Sequence, residues 1–170
     1  MTISIKQTSI SEEVNLCHQM QVAIFHEELD LWGMLIPDGY DRFSLYMQIL
    51  NSNILVGTYR IVLPNSSKGL PIEESGFDLN QLDRNKVCEM SRLVMLKENR
   101  GKIPFSKIIF SACQVGKQHN ASIMVIAILP HNLPLFKRYG FSQVGEPLYD
   151  PSVKSTDTKE PVVIPMQIRL

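Results

Sequence analysis

The chain of 170 residues is 44% apolar, and its 17 basic and 17 acidic side chains cancel at neutral pH. That length suits one domain with one sizeable core, and the zero balance excludes the whole-molecule positive field carried by nucleic-acid and anionic-membrane binders. Cys17, Cys88 and Cys113 are odd in number and widely spaced, with no CxxC pair, so neither a disulfide framework nor a zinc site is expected and a reducing cytoplasm fits. Met1 to Lys6 has no apolar h-region, and the longest nearly uncharged run, Ala121 to Leu129 with its flanks, is too short to span a bilayer. A soluble, unprocessed protein is expected.

Thr2 to Lys6 alternates as a first strand. Ser11 then precedes Glu12 and Glu13 in a helix-start pattern, and Val14, Leu16, Cys17, Met20, Ile24 and Phe25 continue at helical spacing until Leu31-Trp32-Gly33. Ile36 to Asp41 has the proline, glycine and aspartates of an ordered loop. Phe43 to Leu50 and Ile54 to Leu63 form a hairpin around Asn51-Ser52-Asn53, with Gly57 marking a bulge. Pro64 to Asn85 is a polar excursion with one helical turn around Phe77 to Leu82. Val87 to Leu96 is the third strand of the meander. Pro104 to Asn120 is a helix with a buried stripe, and Ala121 to Leu129 is an interior strand, apolar on both faces, expected to lie between helices. Pro134 to Tyr139 is a short helix ended by Gly140, Phe141 to Glu146 resumes extended structure, and Val162 to Leu170 closes the chain. The order β-α-β-β-β-α-β-α-β over residues 1–170 reads as one α/β (α+β) domain with a mixed, mostly antiparallel sheet flanked by helices.

The step from Leu96 to Phe105 and the segment Phe136-Lys137-Arg138-Tyr139-Gly140-Phe141 resemble the GNAT acyltransferase superfamily. Within it, Phe25 with Trp32, Asp38-Gly39-Tyr40-Asp41, Gly57-Thr58-Tyr59-Arg60 and Glu89-Met90-Ser91-Arg92 resemble the acyl-homoserine lactone (autoinducer) synthases and the N-acyl amino acid synthases. Gly145-Glu146-Pro147 and Pro161 to Met166 look closer to the second branch. Three positions depart from the pattern. Gln21 replaces an arginine, Arg100-Gly101-Lys102-Ile103-Pro104 is a shortened acyl-carrier loop, and Phe136 replaces the tyrosine that protonates the leaving thiolate in many acetyltransferases.

The resemblance implies an N-acyltransferase that moves an acyl group, a fatty one in the closer branch, from acyl-CoA or an acyl carrier protein to the amine of an amino acid or related metabolite. Both thioesters are substrates; no permanently bound cofactor or metal is implied. Making an amide from a thioester requires a neutral amine, so Glu89, at the start of an apolar strand that would raise its pKa, is the candidate base. Equally, Glu89 can pair with Arg60 or Arg92 in a structural ion cluster. Those arginines can hold an amino-acid carboxylate or Asp38 and Asp41, which also suit a turn. Phe25 and Trp32 are core residues or walls of a substrate pocket. The Arg100 to Phe105 turn before the second long helix offers free amides to a phosphate, so Arg100, Gly101, Lys102, Ile103 and Phe105 are expected donor contacts, and the resemblance adds Leu93, Val94 and Met95 on the strand before it. Tyr139 or a water would protonate the thiolate, or the thiolate would leave unprotonated. An acetyl-CoA acetyltransferase and a non-catalytic binding module of the same fold are the alternatives. Nothing in the sequence sets the oligomeric state.

Overall fold

The computed structural model describes residues 2–80, 82–156 and 160–170. Along these run β1 (Ile3–Thr8), α1 (Ser11–Val22), β2 (Ser44–Asn51), β3 (Ile54–Val62), β4 (Val87–Met95), α2 (Phe105–Gln118), β5 (Ile123–Ile128), α3 (Leu133–Arg138), β6 (Ser142–Gln143), β7 (Leu148–Tyr149) and β8 (Val162–Arg169). They form one mixed sheet in the order β1-β2-β3-β4-β5-β8-β6, with β7 on β8. Only β4 and β5 run parallel; the other pairs are antiparallel. No helix among the described residues is long and apolar enough to cross a membrane.

The meander forms where expected. Ser52 and Asn53 take φ of 50° and 66°, as a two-residue primed turn requires. A bulge follows where the pair Ile49–Gly57 gives way to Leu50–Leu55. Two short strands, β6 and β7, join the expected set because β8 can pair with the extended chain on both sides of Gly145.

Four expectations change. The first helix is α-helical only to Val22 and continues as a π-helix from Ala23 to Glu28. The turn expected around Phe77 to Leu82 lies instead at Pro71–Ser75 and Arg84–Lys86, started by Pro71 and by the Asp83 carboxylate that caps Asn85 N–H; Gln81 is outside the described residues. The excursion is not merely polar, since Leu70, Ile72 and Leu79 are buried with Tyr40, Val62, Val87 and Val125. Consequently β5 has helix α2 on one face, where Met124, Ile126 and Ile128 join the main core, while the excursion covers Val125 on the other.

Two irregularities in β4 shape the centre of the molecule. Its pairing with β5 covers only Val87 to Glu89 against Ile123 to Val125, and beyond that point the strands part. Opposite β3 the register slips between Thr58–Val94 and Arg60–Ser91, so two β4 residues face one on β3. Arg92, at the slip, has φ 57°, an uncommon conformation for a side chain of its size. Before the bulge Cys88 and Met90 face the main core; after it Leu93 and Met95 do, while Val94 packs with Phe25 and Val163 on the opposite side. The extra residue therefore lets Ser91 and Arg92 in succession leave the α2 core, joining the face that carries Glu89.

Gly57 keeps this register tight. A Cβ there would sit 2.8 Å from the Val94 carbonyl oxygen and 3.1 Å from Ile49 Cδ1. Replacing Gly57 with alanine should cost about 1–3 kcal/mol of stability, read as a lower urea midpoint at unchanged slope.

Candidate active site

Two cavities open on the faces of the split sheet. The first, about 480 Å³, is lined by Asp38, Tyr40, Arg60, Ile72, Glu89, Asp150 and neighbouring side chains. The second, about 450 Å³, follows the gap between the parted strands, from Ser91 to Met95 on β4 and from Ile126 to Leu129 at the end of β5, with Phe25, Leu31, Leu135 and Phe136 as apolar walls. Met34, Ser91, Arg92, Ala127, Val153 and Val163 line both, so the cavities meet beside the bulge.

A buried ion cluster forms the floor of the first cavity. Arg60 is 1% exposed and grips Asp38 with two nitrogens, Nη1 to Oδ1 at 2.7 Å and Nη2 to Oδ2 at 2.8 Å. Its Nη1 also donates to Asp41 Oδ1 at 2.9 Å, and its Nε to Ser91 Oγ at 2.9 Å. Arg92 Nη2 donates to Asp38 Oδ2 at 2.6 Å and to the Leu35 carbonyl. Tyr46 donates to Asp41 at 2.5 Å and lies 2.7 Å from His18 Nε2, carrying the network to α1. Burial pushes Asp38 up, but hydrogen bonding to Arg60 and the two guanidinium charges hold it below the usual carboxylate range.

Glu89 stands apart from that cluster. It is 2% exposed, and its Oε2 accepts the Ile72 N–H at 2.8 Å. No ion pair within 4.0 Å joins it to an arginine among the described residues, because Asp38 and Asp41 occupy Arg60 and Asp38 occupies Arg92. Burial pushes the Glu89 carboxyl up to about 8, outweighing the Ile72 amide and the more distant Arg60 charge. A carboxyl poised near neutrality beside a cavity is suited to proton transfer.

The family model for the N-acyl amino acid synthase FeeM matches residues 40–158. The chain belongs to that family. This member of the N-acyl amino acid synthases matches no curated protein. Its fold is similar to that of the FeeM structure from uncultured soil microbes, with a TM-score of 0.76 at 15% identity, covering 99% of this chain and 90% of that one. An acyl-CoA N-acyltransferase from Pseudomonas aeruginosa superposes with a TM-score of 0.71 at 16% identity, covering 98% of both chains. The AHL synthase LasI gives 0.69 at 18% identity, covering 99% of this chain and 89% of that one. The fold is that of the GNAT acyltransferases, and the protein is an N-acyltransferase.

Within this synthase fold the expected residues divide. Glu89, Asp38, Arg60 and Arg92 line the first cavity, and Asp41 supports it from behind. Phe25, Leu93, Val94, Met95, Arg100, Gly101, Ile103 and Phe105 line the second, where Arg92 appears again. Lys102, Trp32 and Tyr139 are among the lining residues of neither. Lys102 is exposed; Trp32, 63% exposed, stacks on His26 and donates to Asp30; Tyr139 packs against Phe105. Ser91, the Ile72 amide and the Asp150–Val153 segment were not foreseen. The Pro71 that starts a turn beside a buried isoleucine was the available signal for the second of these, and Ser91 lay inside a motif already singled out. Among the described residues no group of three or more His, Cys, Asp or Glu is placed to hold a metal ion.

Removing Asp38 as alanine leaves Arg92 without its carboxylate and Arg60 with Asp41 alone, and should cost about 3–5 kcal/mol in urea unfolding. Glu89 makes a pH-dependent contribution of determinable sign. From the ordinary carboxyl value of 4.5 up to about 8, the folded chain keeps a proton that the unfolded chain releases, so stability from this group falls as pH rises. Glu89→Gln should abolish that fall, so the variant gains on the parent by up to ~1.4 kcal/mol per pH unit between about pH 5 and about pH 8.

Proposed function

We propose that this N-acyltransferase carries a fatty acyl group from an acyl-CoA or acyl-carrier-protein thioester to the amine of an amino acid or related metabolite, by direct attack in a ternary complex. The observation that carries this reading is the meeting of two cavities at Ser91, Arg92 and Ala127, with Glu89 in one and an apolar gap in the other. The acceptor amine enters beside Glu89, and the donor thioester lies along the gap.

Separation of β4 from β5 after Glu89 leaves peptide groups on that side of β4 without a strand partner. An amide-bearing pantetheine arm can take the place of the missing strand, as extended peptides do at sheet edges. Phe25, Leu31, Met34, Ile128, Leu129, Leu135 and Phe136 offer the acyl chain an apolar wall. Burial gives about 0.8 kcal/mol per methylene, which favours a fatty chain over acetyl by on the order of a hundredfold for four extra carbons. This wall is why the fatty-acyl reading is preferred to that of an acetyltransferase.

Glu89 takes a proton from the acceptor ammonium, directly or through water, and the neutral amine attacks the thioester carbonyl. The C–N bond forms and the C–S bond breaks; the nitrogen's second proton passes to water, and the first remains on Glu89 until it returns to solvent. Tyr139 lies behind Phe105, so the reading gives it no part and the thiolate takes its proton from water. Arg92 and Arg60 hold the floor through Asp38.

Incubation of acyl-CoA and acyl-carrier-protein donors of graded chain length with a panel of amino acids and amines, followed by mass spectrometry, should reveal an N-acylated product. The rate should rise toward about pH 8, and Glu89→Gln should lower kcat by about 10²–10⁴-fold with a native circular dichroism spectrum. Full activity in Glu89→Gln would remove the base assignment, and no product with any donor would remove the transferase reading for these substrates.

A further inference from the structure

At the exposed end of the donor cavity, Arg100 is already holding an anion that belongs to the chain. Its Nη1 and Nη2 donate to the two oxygens of Glu28, at 2.5 Å and 2.8 Å, and its Nε donates to the Met95 carbonyl at 2.9 Å. All three guanidinium nitrogens are thereby engaged, and the planar face that matches a phosphate is filled by a carboxylate. Glu28 is supplied by the last residue of the π-helix, the same turn that sends Phe25 into the cavity wall. The hydrogen bonds to Arg100 hold its carboxyl below the ordinary range, so it is ionised at working pH.

The surroundings favour an anion at this place. Helix α2 spans 14 residues, and no side chain caps its first turn, which leaves free amides and the positive end of the dipole toward the loop. Gly101 has φ 74°, with nothing within 4 Å of where a Cβ would be, so the loop beside Arg100 is open at Gly101. The pair is itself accessible, with side-chain exposures of 40% for Arg100 and 33% for Glu28. A pair so exposed is weak and can be exchanged for another anion.

We propose that Glu28 is a built-in competitor for the donor's phosphate: it occupies the Arg100 fork in the free enzyme, and a phosphate ester attached to the pantetheine arm must displace it to bind. Glu28 thus sets how strongly phosphate charge contributes to donor selection, while the thioester and acyl chain are read elsewhere in the gap. The inference rests on the assignment of that gap to the donor. The shared chemistry is a phosphate next to pantetheine, supplied either by coenzyme A or by the phosphopantetheine of a carrier protein.

Calorimetric titration of the full chain and of Glu28→Gln with coenzyme A, phosphopantetheine and pantetheine tests this without requiring turnover. Glu28→Gln should bind both phosphate-bearing probes roughly two- to fivefold more tightly at low salt, leave pantetheine unchanged, and lose its advantage as salt screens the charge. Glu28→Asp should restore the parent's behaviour. An equal gain for the two phosphorylated probes locates the contact at the phosphate common to both; a gain confined to coenzyme A would move it further along the nucleotide and overturn competition with the pantetheine phosphate. Unchanged affinities, or a parallel shift that includes pantetheine, would reduce the pair to a structural tie and overturn the proposal. The expected binding pattern without any N-acylated product would leave the competition standing and count against the transferase reading alone.

Discussion

Asp38 binds two guanidiniums at once, and the chemistry of the neighbouring glutamate depends on it. By taking both terminal nitrogens of Arg60 and one of Arg92, it commits the nearby positive charge to the 38–41 loop. Glu89 is then left with a backbone amide as its close partner. Had either arginine paired directly with Glu89, attraction would have held its carboxyl low and made it a poor base. The two sequence readings of these residues, ion cluster and candidate base, therefore concern different members of one arrangement: Asp38 and the arginines form the cluster, and Glu89 stands outside it.

The same strand supplies the second requirement of the site. A regular β4 paired along its length with β5 would close the sheet and leave no passage between its faces. The short parallel ladder opens the gap, and the bulge at Arg92 turns consecutive polar side chains out of the α2 core. A left-handed conformation at a bulky residue persists only where surroundings hold it, and here the Leu35 carbonyl and Asp38 do so from outside the strand. Loop and bulge stabilise each other across more than fifty residues of sequence.

The meander, the amphipathic α2 and the closing strand were legible because their patterns are local: alternation, helical spacing and a turn at Asn51-Ser52-Asn53, of which Asn51 belongs to the strand. Glu89, Arg60 and Asp38 were legible as a group through the family resemblance, but which would pair with which was not, since pairing depends on how a loop docks. The π-helix after Val22 leaves no mark on hydrophobic spacing that separates it from a longer α-helix. The excursion was read as polar because its buried residues, Leu70, Ile72 and Leu79, are scattered among turn formers rather than arranged periodically. Trp32 shows the reverse failure: an aromatic residue in a recognised pattern, yet largely in solvent.

The hydrogen bond from the Ile72 amide to Glu89 links two properties that protein engineers usually vary separately. Pro71, Ile72, Glu74 and Ser75 line the first cavity, so on the proposed reading exchanging that segment for a relative's would be a natural way to alter which amine is accepted. Its backbone also helps set the basicity of the carboxylate beneath. With Glu89 as the proposed base, a graft that moved the amide would shift the pH optimum along with the acceptor range, and new acceptors would have to be screened across pH rather than at the parent's optimum.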